Sequence, residues 1–389
     1  MNTKETKKTV QERKYDLVIN RGEEEGFEVR SLDRKEFLRE TSQLLKRPKR
    51  IFLGMGDFLE IGDYNILMDT IFFNTEGVRF ENILDKSNRK ISEELGIPIS
   101  FFKLAVYYPD FLLKQVPAFC VSTIGRKARL FPGAETFVKY IKEYDPIVLS
   151  ALPWQIAVEI IRRVDLNDRN LISTEYRTEK INGKREIFSG DIVSFISGDR
   201  KSLEIEKIMH AEDLSEEEVV YIGRGEAGTK TFSTVNSIAF NPSEAVIPES
   251  RITIYGSSLE SLLVLFNFDG ELDKFLSADA VEEYLPPLVV FSESRGKSRE
   301  LVEMELQQRH LQSNIMGQRI EHSGESFMSV EREIEVAFGG SFINIQEVRD
   351  MVGKRMEKYR DNPQTLVKEI YRIARERYKR TGSAFSPQQ

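Results

Sequence analysis

The sequence contains few of the residues that carry thiol and imidazole chemistry. It has one cysteine, Cys120, and three histidines in 389 residues. A single cysteine cannot form an intrachain disulfide, and the thiolate clusters that hold zinc need several. His210, His310 and His322 lie too far apart for the i, i+4 pairs of common metal sites. We therefore expect no metal site, and we expect Cys120, in the apolar stretch AFCVST, to be a core residue.

The sequence also lacks a long apolar run. No stretch approaches the roughly 20 apolar residues that span a bilayer, and the N-terminal MNTKETKKTVQERK has no apolar signal-peptide core. We therefore expect a cytoplasmic protein without a membrane span. The 56 Lys and Arg and 63 Asp and Glu give a net charge of −7. This charge provides no general attraction to nucleic acid, so we do not expect nucleic acid as a partner.

Length and patterning together predict three regions, because 389 residues exceed the roughly 100–200 of one domain. The pattern of residues 1–49 predicts an N-terminal extension of short strands plus a helix. Residues 50–268 alternate strand and helix patterns, which predicts an α/β core with a mostly parallel sheet. Within the core, residues from about 60 to 128 have a helical pattern and predict a cap-like insertion. Residues 269–389 are expected to form a helical C-terminal region.

Two local patterns add detail to this organisation. Asn182-Gly183 separates TEYRTEKI from KREIFSGDIVSF, which predicts a β-hairpin. The terminal KEIYRIARERYKR predicts a basic amphipathic helix. We expect that helix to dock on its own domain, and the alternatives are nucleic-acid binding by this helix or a protein partner bound through the C-terminal helices.

Candidate functional residues follow the predicted strands, since ligands of doubly wound sheets bind beyond the carboxyl ends of the strands. IFL is followed by Gly54-Met55-Gly56-Asp57, and IVL is followed by Ser150. Lys201 opens a predicted helix 22 positions before Gly223, which begins the turn after VVYI. That turn continues as Arg224-Gly225-Glu226-Ala227-Gly228.

This order of motifs resembles the haloacid dehalogenase (HAD) superfamily over roughly residues 50–268, and the best local match is FPGAE at 131–135, leading through a helix to VLSA. The resemblance implies a HAD-like Rossmannoid fold and a phosphatase-like site. In that family, two aspartates after the first strand serve as nucleophile and acid/base. A Ser or Thr after the second strand binds phosphate, a lysine steadies the charge, and acids after a later strand hold Mg²⁺. Ser150 and Lys201 match this pattern.

The catalytic carboxylates of the pattern are missing. Gly54 and Gly56 stand where the nucleophile and the acid/base belong, and Arg224 and Gly228 stand where the metal-holding acids belong. Glycine can neither attack phosphorus nor bind a cation, and an arginine repels Mg²⁺ while pairing well with phosphate. The resemblance therefore implies a pseudoenzyme with a ligand-sensing, regulatory or assembly role.

Three interpretations remain open from the sequence. In the first, a metal-free pocket for a phosphorylated small molecule is formed by the side chains and turn amides of a set of seven residues. Its members are Ser150, Lys201, Arg224, Gly54, Gly56, Gly223 and Gly225. In the second, the residues of the phosphatase-like site have only a structural role, and Arg224 pairs with Glu226 or a helix-cap carboxylate. In the third, a Mg²⁺-dependent phosphatase uses a displaced carboxylate, namely Asp57, Asp63 or Glu226. Gly223–Gly228 also fits G-x-G-x-x-G, but it follows several βα units rather than the first strand, where a dinucleotide site is expected.

Overall fold

The computed structural model describes most of the α/β core of the chain. The described residues are 13–21, 26–55, 60–61, 109, 113–181, 185–196, 198–225, 228–242, 246–286 and 288–293, with scattered positions between 347 and 372. The chain divides into two compact units, which we call the first and the second unit. The first unit comprises residues 1–54, 131–147 and 198–319, and the second comprises residues 55–130, 148–197 and 320–389.

The first unit contains a mixed, mostly parallel sheet. Its strands in chain order are β1 (Tyr15–Asn20), β2 (Phe27–Leu32), β3 (Arg50–Gly54), β9 (Val219–Gly223), β10 (Asn236–Phe240), β11 (Ile252–Tyr255) and β12 (Leu288–Ser292). Within the described residues their order across the sheet is β2-β1-β12-β11-β10-β9-β3. The pairs β3/β9, β9/β10, β10/β11 and β1/β12 are parallel, and β11/β12 and β1/β2 are antiparallel.

The helices of the first unit bury one face each, as amphipathic patterns require. They are α1 (Arg34–Thr41), α3 (Ala134–Ile141), α5 (Asp199–Ala211), α6 (Thr229–Thr234), α7 (Leu272–Phe275) and α8 (Ala278–Tyr284). In α1 the N-cap Asp33 accepts from the Glu36 amide at 2.9 Å, and the Glu36 side chain completes a capping box. In α3 the buried residues include Phe137, Val138 and Ile141.

The second unit contains a parallel strand pair extended by a hairpin. Its elements are β4 (Glu60–Ile61), α2 (Ala118–Lys127), β5 (Arg129–Leu130), β6 (Ile147–Pro153), α4 (Trp154–Arg163), β7 (Leu171–Ile181) and β8 (Arg185–Ser194). β6 pairs in parallel with β7, and β7 pairs antiparallel with β8, which confirms the hairpin around Asn182-Gly183. Cys120, on α2, is 1% exposed, and burial raises the pKa of its thiol to about 12. The expectation of a core cysteine is confirmed.

The α/β class with a mostly parallel sheet is therefore confirmed. The central strands β9 and β10 are buried along their whole length, and such continuous apolar runs are typical of parallel strands covered on both faces. Most of the expected insertion at 60–128 and most of 294–389 lie outside the described residues. Among the described residues, no helix is long and apolar enough to cross a membrane.

The C-terminal region is not wholly helical, which corrects one expectation. The stretch VEEYLPPLVVF ends its helix at Tyr284 and continues as β12, which pairs with β1 and with β11. Pro286-Pro287 cannot continue a helix, and the β-branched Val289 and Val290 that follow favour a buried strand. In addition, the segment SLESLLVLF forms a 3-10 helix at Leu259–Leu265.

Candidate functional site

The carboxyl ends of β3 and β9 meet at one edge of the sheet in the first unit. These strands are parallel neighbours, with Leu53 in register with Ile222. Gly54 and Gly223 end the two strands, so they are adjacent at the edge where ligands of parallel sheets bind. The sequence predicts functional residues at both positions.

The side chain of Tyr221 fills the space over these glycines. It is fully buried, and its ring packs edge-on against Phe232 on α6 with 4.9 Å between centroids. A Cβ atom added to Gly54, Gly223 or Gly228 would lie 2.7, 3.0 or 2.6 Å from Tyr221 Oη. Side chains two residues apart on a strand share a face, so the glycine at 223 leaves room for the ring to lie along β9 towards its end.

This arrangement leaves little room for a side chain at two positions where the resemblance expects carboxylates. The resemblance assigns the nucleophile to position 54 and a metal-holding acid to position 228. Real Cβ atoms essentially never approach another atom as closely as they would approach Tyr221 Oη at either position. An aspartate at 54 or 228 therefore requires Tyr221 to move. Tyr221 is not among the candidates predicted from the sequence, although its spacing of two residues before Gly223 is a usable signal.

Lys201 is a buried cation in the first turn of α5. Its side chain is 5% exposed, and burial lowers its pKa to about 8. Within the described part of the chain, its ammonium group has neither an ion pair nor a hydrogen bond. The acid in the same turn, Asp199, pairs instead with Lys230 at 3.1 Å. Both the burial and the partial positive charge of the helix N-terminus disfavour a cation here, and a bound anion would offset both costs.

The topology brings Lys201 to the same edge of the sheet as Tyr221. Residues 212–218, which include a 3-10 helix at Glu216–Glu218, join α5 to β9, and a helix that precedes a parallel strand runs antiparallel to that strand. The 13 residues of α5 extend about 20 Å, and the five residues of β9 extend about 16 Å. From these lengths we expect the first turn of α5 to lie near the level of the carboxyl end of β9.

Arg224 is tied to the end of the neighbouring strand. Its Nε donates to the carbonyl of Asn241 at 2.8 Å. Asn241, directly after β10, has a left-handed backbone with φ of 42°. Its Nδ2 donates to the Gly256 carbonyl at 2.7 Å, and its Oδ1 accepts from the Gly256 amide at 3.0 Å. The three residues link the ends of β9, β10 and β11, and the sequence alone does not predict this network. Anion binding by Arg224 stays a prediction.

Ser150 lies in the second unit, on β6. Its side chain is buried, and its Oγ accepts from the Leu152 amide at 3.1 Å and contacts Met55 Sδ at 3.6 Å. The Met55 amide donates to the Leu149 carbonyl at 3.2 Å. These contacts occupy the hydroxyl locally, and its role in phosphate binding stays a prediction.

The remaining candidates divide into one described and several undescribed residues. A Cβ on Gly225 would meet nothing within 4 Å. Gly56, Asp57, Asp63 and Glu226 lie outside the described residues. Among the residues that are described, no group of three or more His, Cys, Asp or Glu could hold a metal ion.

Comparison with known proteins finds no matching family model and no matching curated protein. Solved structures do match. A phosphoserine phosphatase in apo form is 20% identical with a TM-score of 0.40, and the match covers 56% of this chain and 98% of that one. A HAD family hydrolase from Salmonella enterica serovar Typhi is 16% identical with a TM-score of 0.44, covering 61% and 84%. A gene product of Archaeoglobus fulgidus is 14% identical with a TM-score of 0.48, covering 71% and 99%. All three are distant likenesses.

Proposed function

We propose that this protein binds a phosphate-like anion without a metal ion and does not hydrolyse it. The observation that carries the proposal is the position of Tyr221 Oη, which occupies the space beside Gly54 and Gly228. Phosphoryl transfer to a protein carboxylate needs that carboxylate and a cation to offset the charge. A phenol in this space leaves room for neither a carboxylate on residue 54 nor one on residue 228.

Lys201 supports the anion-binding part of the proposal. Lys201 is a largely buried residue, and a cation in such a position is costly unless a counter-ion joins it. A phosphate or phosphorylated metabolite at the carboxyl edge would be such a counter-ion. A ligand-sensing or regulatory role follows, because binding without turnover can change only the stability or the interactions of the protein.

The absence of hydrolysis is tested with p-nitrophenyl phosphate in the presence of Mg²⁺. We expect no turnover above that of buffer. Mg²⁺-dependent turnover that disappears in the Asp57→Asn variant would establish the alternative, a phosphatase with a displaced carboxylate, and would refute the proposal.

Anion binding is tested by thermal unfolding in increasing inorganic phosphate. A ligand that binds only the folded state stabilises it by about 2.7 kcal/mol at a concentration of 100 Kd. We expect phosphate to raise the Tm, and we expect EDTA to leave this rise unchanged. Lys201→Met should abolish the rise, whereas Lys207→Met, on the exposed side of α5, should retain it. The Arg224→Ala variant measures whether the guanidinium contributes to the same binding.

A further inference from the structure

The hydroxyl of Tyr221 is directed at the carboxyl edge of the sheet in the first unit. Three backbone segments surround it, and each contributes a glycine: Gly54 from the end of β3, Gly223 from the end of β9, and Gly228 before α6. The ring cannot turn aside freely, because Phe232 packs against it. Tyr221 Oη is thus held at the strand ends where ligands of parallel sheets bind.

The side chain of Tyr221 is largely buried, but its Oη is not among the fully enclosed polar atoms of the described residues that lack a hydrogen-bond partner. Tyr221 is 2% exposed, and no residue that the structure describes forms a hydrogen bond with its Oη. A hydroxyl on a largely buried side chain has little access to water, so it is more stable with a hydrogen-bond partner. A ligand oxygen at the strand ends would provide one.

We propose that Tyr221 Oη donates a hydrogen bond to an oxygen of the bound anion, while the ammonium group of Lys201 supplies the positive charge. This inference rests on the proposed function and adds to it a ligand-contacting residue and a requirement on the ligand. The ligand must be an oxyanion with at least two acceptor oxygens, such as a phosphoryl group, so that one oxygen meets the ammonium group and another meets the phenol.

The chemistry of a phenol suits a site without a metal. A carboxylate beside the anion would repel it unless a cation lay between them, whereas a neutral O–H group presents a donor. Burial raises the pKa of Tyr221 far above its usual value, so the phenol keeps its proton throughout the physiological range. At positions 54 and 228 the resemblance expects carboxylates, which accept hydrogen bonds. This chain has glycines there, and the hydroxyl of Tyr221 beside them can donate a hydrogen bond.

The inference is tested by calorimetric titration of the full chain with inorganic phosphate. Tyr221→Phe removes the hydroxyl alone, and Tyr255→Phe is the matched control, since Tyr255 is a second tyrosine of the first unit whose pKa is also raised by burial. Loss of a hydrogen bond to a charged ligand should weaken phosphate binding roughly tenfold or more in Tyr221→Phe. Tyr255→Phe should bind as the wild type does. Both variants should unfold at a Tm close to that of the wild type without phosphate.

The outcomes separate this inference from the proposed function. If the wild type binds phosphate, Lys201→Met does not, and Tyr221→Phe binds with unchanged affinity, then the anion site stands and the role of Tyr221 is refuted. If the wild type itself does not bind phosphate, the proposed function fails, and the inference fails with it. A tenfold loss in Tyr221→Phe that Tyr255→Phe matches would also refute the inference, because the effect would then be general to buried tyrosines.

Discussion

The hydroxyl oxygen of Tyr221 lies 2.7 Å from the point where a Cβ atom on Gly54 would stand, and the next atom of the ring lies at 3.5 Å. The first distance is a clash and the second is an ordinary van der Waals contact. One oxygen atom therefore decides whether position 54 can carry a side chain. The same oxygen is the nearest obstacle at Gly228, at 2.6 Å.

Gly54→Ala should destabilise the protein by about 1–3 kcal/mol, as overpacking of a well-packed core does. The same substitution in a Tyr221→Phe background should cost markedly less, since the clashing oxygen is gone. Urea unfolding of the four proteins in this double-mutant cycle measures the coupling. Gly225→Ala is the control and should have little effect, since nothing lies within 4 Å of its Cβ. Equal costs of Gly54→Ala in both backgrounds would show that the hydroxyl is not the obstacle.

The sequence predicts the fold class well because periodic patterns and strand-ending glycines are local signals. The hairpin at Asn182-Gly183 follows from two residues. The sequence does not reveal what fills the space above Gly54 and Gly228, because this depends on which face Tyr221 occupies and how far its ring reaches along β9. The apolar segment VVYI predicts a buried strand, but it does not predict where the ring of Tyr221 lies. The glycines at positions 54 and 228 are visible in the sequence, whereas the tyrosine that lies beside them is visible only when β3 and β9 lie side by side.

β12 illustrates the same limit for secondary structure. The stretch before Pro286 has the composition of a helix and forms α8, and the short apolar run after Pro287 has no periodicity that distinguishes strand from helix. Tertiary pairing with β1 and β11 determines the outcome.

Asn241→Ala should destabilise the protein by about 2 kcal/mol. The substitution removes both side-chain hydrogen bonds to Gly256, and alanine tolerates the left-handed backbone at this position less well than asparagine does. Asn241→Gly should lose the same hydrogen bonds without the backbone strain, so it should be the more stable of the two variants. Chemical unfolding distinguishes them, and equal stabilities would mean that the φ of 42° is not strained.

Lys201→Met should stabilise the protein at neutral pH when phosphate is absent. Burial lowers the pKa of Lys201 from 10.5 to about 8, so the charged form destabilises the folded state by on the order of 3 kcal/mol at pH below about 8. Between pH 8 and 10.5 the unfolded state binds the proton more tightly, and the stability of the wild type rises with pH. The advantage of the methionine variant should therefore shrink over this range and vanish above it. The unfolding free energies of the wild type and of Lys201→Met, measured from pH 6 to 11, give the difference in stability. A difference that is constant with pH would contradict the lowered pKa of Lys201.

The pH dependence of anion affinity should run in the opposite direction to that of stability. In the proposed site an anion binds the protonated form of Lys201, and desolvation by burial is the one cause that lowers the pKa of this group. Above a pH of about 8 the free protein loses the proton and must regain it on binding, so affinity should fall up to tenfold per pH unit until the pKa of the complex is reached. Sulfate is the appropriate probe, because its own charge does not change over this range. Titrations at pH 7, 8, 9 and 10 should give a constant Kd at the low end and a rising Kd above 8. A Kd that stays constant to pH 10 would mean that the charge of Lys201 does not hold the anion, and the cation of the site would then have to be sought in a guanidinium such as that of Arg224.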